Sequence, residues 1–80
     1  MEKELEYIVL ENNIEYIVLE KIQSKNCTYI YLSNPNNVKD FCIRKLVKDN
    51  LYGLESEEEF ENSLILLKEQ NKDLIEKLGL

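Results

Sequence analysis

Glu6-Tyr7-Ile8-Val9-Leu10-Glu11, then Asn12-Asn13-Ile14, then Glu15-Tyr16-Ile17-Val18-Leu19-Glu20: this stretch decides how the chain is read. One six-residue phrase is written twice, with only Asn12, Asn13 and Ile14 between the copies. Tyr, Ile and Val lose χ1 freedom against a helical turn and fit a pleated strand instead. Asn tolerates positive φ, so Asn12-Asn13 suits the two-residue turn of a hairpin. With Glu11 opposite Ile14, Ile8 would face Ile17, Tyr7 would face Val18 and Val9 would face Tyr16. Aromatic and β-branched cross-strand pairs of this kind contribute roughly 0.2–1 kcal/mol each. The echo therefore reads as a self-complementary hairpin. A period seen twice builds no solenoid.

Working outward, Gln23-Ser24-Lys25-Asn26 supplies a turn and Cys27-Thr28-Tyr29-Ile30-Tyr31-Leu32 a further strand. Asn34-Pro35-Asn36-Asn37 is the strongest turn signal, because Pro presets φ and the asparagines accept left-handed geometry. Strands are expected over about 5–11, 14–22, 27–33 and 39–47. Turns this short join antiparallel neighbours, since parallel ones need a long crossover. Alternation gathers Ile8, Leu10, Ile17, Leu19, Ile30, Leu32, Phe41 and Ile43 on one face. The other takes Tyr7, Val9, Tyr16, Val18, Cys27, Tyr29, Tyr31 and Cys42. Every residue changes face if the register slips by one.

Leu51-Tyr52-Gly53-Leu54 reads as a connecting loop with an apolar anchor. Ser56-Glu57-Glu58-Glu59 then spells a capping box: the Ser56 hydroxyl takes the free N–H of Glu59, whose carboxylate reaches back. Phe60, Leu64, Leu67, Asn71, Leu74 and Leu78 follow at spacings of four and three, a stripe along one helical face. Acidic residues crowd the start, and Lys68, Lys72 and Lys77 lie toward the end, as the helix dipole favours. Gly79-Leu80 resembles a C-terminal stop. A helix is expected over about 57–78. Residues 1–80 thus read as a single α+β domain, a four-stranded antiparallel β-meander packed against one C-terminal α-helix. Either sheet face could take that helix. The aliphatic one is the simpler mate, which would leave the tyrosine face open.

The chain has 80 residues, enough for one domain. Ten basic against sixteen acidic residues give a net charge of −6, which disfavours nucleic acid and anionic membrane as partners. No apolar run approaches the roughly 18 residues of a membrane span, and no leader-like segment stands out. Cys27 and Cys42 form no Cys-x-x-Cys pair and read as reduced packing residues, so a cytoplasmic location is expected.

Catalysis finds little support. There is no histidine, and a reactive cysteine would need a neighbour that lowers its pKa. Arg44 near Cys27 across strands is better read as a surface charge beside a packed thiol. Ser24, Ser33, Ser56 and Ser63 are explained by backbone bonding at turns, a strand end and the helix start. Glu55, Glu57, Glu58, Glu59 and Glu61 lack the spacing of a calcium loop, and capping accounts for them. Gly53 and Gly79 make no phosphate-binding loop. No catalytic, metal or cofactor residues are therefore assigned, and no enzyme activity is expected. The interaction candidates are Tyr7, Tyr16, Tyr29 and Tyr31, because tyrosine suits half-wet surfaces and interfaces.

Glu11-Asn12-Asn13, Tyr29-Ile30-Tyr31-Leu32 and Leu54-Glu55-Ser56-Glu57-Glu58-Glu59-Phe60-Glu61 together resemble the YrzB-like family, over about residues 6 to 67. That resemblance implies a small acidic cytosolic bacterial protein of unassigned activity and carries over no catalytic residues. The functional expectation is a non-enzymatic protein-interaction module that binds a partner protein or a second copy as a homodimer. The alternative is an acidic inhibitor or decoy, of the phage-encoded type, that blocks a basic nucleic-acid-binding site.

Overall fold

In a computed structural model, residues 6–79 are described, without the side chains of Val38 and Leu78. Five strands precede two helices: β1 (Tyr7–Val9), β2 (Glu15–Gln23), β3 (Thr28–Asn34), β4 (Asn37–Val47), β5 (Asn50–Gly53), α1 (Glu57–Gln70) and α2 (Lys72–Leu78). The strands form one antiparallel meander in sequence order, curled into a half-barrel. The α+β class and the meander are as expected, but there is one more strand and one more helix than the sequence suggested. Leu5 and Leu80, assigned to the first strand and the C-terminal stop, lie outside the described residues.

The loop of the first hairpin is one residue longer than the expected two-residue turn. Asn13 N–H reaches Leu10 O at 2.9 Å, Leu10 N–H reaches Ile14 O at 3.1 Å, and Asn13 takes φ 63°. This is a three-residue loop, a turn followed by one left-handed residue. The Asn12 side chain secures it by accepting from Ile14 N–H at 3.1 Å. In consequence Tyr7 pairs with Ile17, Ile8 with Tyr16 and Val9 with Glu15. The slip of one moves Tyr16 onto the face of Ile8.

Two further irregularities set the curl. A bulge between Val18 and Glu20 in β2 inserts Leu19, and the β3–β4 register shifts between Ser33 and Asn34. Bulges bend a strand and increase its twist. Around the second, Asn36 N–H donates to Asn34 Oδ1 at 2.9 Å and Lys39 N–H to Asn37 Oδ1 at 3.2 Å. The shift brings Ile43 opposite Tyr31 and Cys42 opposite Leu32. Phe41 and Ile43 therefore join Tyr29 and Tyr31, not the aliphatic face expected for them.

β5 occupies the segment expected to be a loop. Lys48 (φ 47°) and Asp49 (φ 71°) are both left-handed and make a two-residue turn that seats Val47 opposite Asn50. The pair lacks the usual Asn-Gly signature, which is why the hairpin is hard to read from sequence.

Each sheet face has its own core. On one, Ile22, Tyr29, Tyr31 and Ile43 pack with Leu67 and Ile75 of the helices. On the other, Leu10, Tyr16, Ile30 and Leu32 are buried with Ile8, Val18, Cys42 and Leu46 around them, and no helical residue is among them. Leu32 has no exposed surface although no described helical residue packs in its cluster. The curl of the sheet is the cover. The helices sit on the tyrosine face, contrary to the simpler expectation that they take the aliphatic one.

Ser56 caps α1, its Oγ accepting from Glu59 N–H at 3.1 Å. The return contact differs from a capping box, because Glu59 Oε1 accepts from Glu55 N–H at 2.7 Å. The helix stops at Asn71, whose N–H bonds Leu67 O at 2.7 Å while its Oδ1 accepts from Leu74 N–H at 3.2 Å. Asn71 thus ends one helix and caps the next. Gly79, at φ 73°, closes α2 as a left-handed cap.

Candidate functional site

The four tyrosines singled out by sequence go to three different environments. Tyr31 is fully buried, and its hydroxyl donates to the Ser63 carbonyl in the middle of α1. Tyr29 is buried beside it and donates to Glu59 Oε2 at 3.2 Å. Tyr16 is buried in the other core, donating to Asp40 Oδ2 at 2.7 Å and accepting from Asn12 Nδ2 at 3.2 Å. Tyr7 alone lies largely open, 48% exposed on the short edge strand β1 beside Val9. The tyrosines of β3 thus form no open interaction face. Their rings fill the space under the helix, and their polar tips meet groups the helix supplies.

Those buried hydroxyls are held neutral. Burial, followed by the nearby Cys27, pushes the Tyr31 phenol up to about 12, and burial raises Tyr29 further in the same direction. The hydrogen bond to Asp40 raises Tyr16. Burial likewise raises the Cys42 thiol, which makes it a poor nucleophile. Among the described residues no group of three or more His, Cys, Asp or Glu side chains is placed to hold a metal ion. No described helix is long and apolar enough to cross a membrane.

Glu59 is the electrostatic joint between helix and sheet. It accepts from Glu55 N–H, from Tyr29, and from Lys45 Nζ at 3.0 Å. The Glu55 N–H first, then Lys45 and Tyr29, hold its carboxyl below the ordinary value despite partial burial. Lys45 also meets the exposed Glu55 at 3.5 Å. On the far side of β4, Arg44 bonds Glu11 at 3.1 Å and so ties the first hairpin back to the sheet.

The open feature with the most chemistry lies between β4, β5 and the start of α1. A cleft of about 730 Å³ is lined there by residues that include Phe41, Arg44, Tyr52, Glu55, Glu57 and Phe60. Tyr52 is 48% and Phe60 37% exposed. Glu11, Glu55 and Glu57 stand against one cation in the lining, Arg44, which is already engaged by Glu11. The cleft is therefore aromatic within and acidic at its rim. Cys42 also lines it, its thiol pKa raised by burial, and the aromatics and carboxylates form a concave contact surface.

Sequence reading missed this place. Tyr52 was absorbed into a loop and Phe60 into the helix stripe, whereas β5 and the start of α1 bring them to one cleft. The usable signal was two large aromatics on either side of an acidic cap. No family model, curated protein or solved structure matches the chain, so none bears on its resemblance to the YrzB-like family.

Proposed function

We propose that the chain is a non-enzymatic acidic protein-interaction module of the bacterial cytoplasm, and that its contact surface is the cleft between β4, β5 and α1. The observation that carries this reading is the pairing of exposed aromatics with carboxylates that outnumber the lining cation, Glu11, Glu55 and Glu57 against Arg44, at one concave place. Aromatic residues supply contact area, and the carboxylates select a basic partner. A partner of another kind fits better than a second copy, because two chains of net charge −6 repel.

The second reading, an acidic decoy for a nucleic-acid-binding site, is favoured by Glu58 and Glu61, both exposed on α1. Two double variants separate the readings. The protein is immobilised with host lysate at low salt, and the retained partner is purified and titrated. Glu55→Lys with Glu57→Lys should weaken binding roughly tenfold or more, while Glu58→Lys with Glu61→Lys should change it little. Loss with the second pair, together with competition by DNA, would establish the decoy instead. Indifference to both pairs would remove the cleft from consideration.

A further inference from the structure

The cleft holds an interrupted sheet edge as well as side chains. The two-residue turn at Lys48-Asp49 makes Val47 and Asn50 a hydrogen-bonded pair, so the backbone groups of Val47, Lys45, Ile43 and Phe41 point away from β3. The other side agrees: Ser24 N–H bonds Cys27 O at 2.8 Å, which leaves Thr28, Ile30 and Leu32 to bond β4 through Leu46, Arg44 and Cys42.

β5 matches only part of that outward row. Its last pair is Gly53 with Arg44, after which the chain departs toward Ser56. The Ile43 carbonyl is taken by Arg44's own guanidinium at 3.2 Å. Phe41 comes next in the outward row, beyond the last β5 pair, and it lines the cleft where a strand neighbour would lie. An unpaired strand edge is a template for an added strand. Here the template opens onto the aromatic surface and the acidic rim already described.

We infer that the occupant of the cleft is an extended basic segment of a partner protein, which adds a short strand to β4 at Phe41 and sets its cationic side chains against Glu55 and Glu57. This rests on the reading of the cleft as an interaction surface and specifies the mode of contact. Backbone pairing would provide affinity, and alternate side chains would provide selection. The cationic row would lie on the face shared by Lys45 and Tyr52, with its apolar stems against the aromatics and its charges toward the carboxylates. A second copy offers the wrong charge, since its exposed edge segments β1 and β5 carry no lysine or arginine.

The test uses a capped peptide of alternating Lys and Val, its Glu/Val counterpart, and two Lys/Val peptides N-methylated at either the Lys or the Val amides. Binding is read by nuclear magnetic resonance on the whole protein. The Lys/Val peptide should shift the amides of Phe41, Tyr52, Gly53 and Glu57 and slow hydrogen exchange at Phe41. The Glu/Val peptide should not. Of the two N-methylated peptides, which block opposite strand edges, one should bind like the parent and the other roughly tenfold more weakly.

Equal binding by both N-methylated peptides, or equal weakening of both, would overturn strand addition. So would no response at Phe41. Concentration-dependent protection of Phe41 without peptide would assign the edge to a second copy and overturn the basic segment as occupant. The interaction reading is judged apart, by whether Glu55→Lys with Glu57→Lys releases the natural partner.

Discussion

Glu59 and Tyr31 show how much single side chains carry in a chain this small. Glu59 has its carboxyl held below the ordinary value of 4.5 in the fold, so its ionised form favours the folded state. That contribution is complete above the unfolded value and disappears as pH falls through the folded one. Urea midpoints should therefore decline as pH falls below 4.5, and Glu59→Gln should flatten part of that decline. Parallel profiles for the two proteins would show that Glu59 has no such role. Tyr31 has the opposite sign. Its phenol, raised from 10.0 to about 12, favours the fold below its unfolded value and loses that effect as pH rises through the folded one. Tyr31→Phe should cost about 1 kcal/mol at neutral pH through the lost bond to Ser63, and it should soften the alkaline limb. Equilibrium unfolding of the pair across that range measures both effects.

At the scale of elements, the boundaries depend on asparagines and on one unlikely turn. Asn71 holds two helix ends together and donates through Nδ2 to Glu20 Oε2 at 3.0 Å. Asn71→Ala should cost about 1 kcal/mol, visible as a lower thermal midpoint without loss of helical circular dichroism. The β4–β5 turn uses Lys48 and Asp49 at positive φ, where both side chains are strained. Lys48→Asn with Asp49→Gly should stabilise the protein by on the order of 1 kcal/mol. A lower midpoint would mean the turn is not of this type. The helix start was legible because Ser56 and the acidic run state it locally. The Asn71 break was less so, since its spacing fits the stripe of Leu64, Leu67 and Leu74 and only its side-chain bonds reveal the stop.

Across the whole molecule, the decisive fact is that the sheet has two cores and only one of them needs helices. Cys27 packs against the helix-side core and Cys42 against the other, both as free thiols. Mild oxidation of the folded protein should leave no internal disulfide, and both thiols should react faster in denaturant than in buffer. An intramolecular bridge found by mass spectrometry in the folded state would contradict this two-sided arrangement. The Glu11–Arg44 bond that ties the first hairpin across the sheet is exposed on the Glu11 side. Such pairs are worth about 0–1 kcal/mol, so the closure rests chiefly on the buried Leu10, Tyr16 and Leu32 beneath it.

The chain by itself determined the antiparallel meander, the capped helix start and the acidic surface. Each follows from local chemistry: β-branched alternation, turn-forming asparagines, and a serine three residues before a glutamate. Tertiary structure alone decided which face each strand residue took. The three-residue loop at Asn13, the bulge at Leu19 and the shift before Phe41 each change parity by one step or bend the sheet, and a period of two carries no signal of where such steps fall. The same steps buried the tyrosines of β3 under the helices and curled the sheet over its aliphatic face. The β4–β5 pairing and the start of α1 set Tyr52, Phe60 and Phe41 around one acidic cleft, for which the sequence offered only two aromatics flanking an acidic cap.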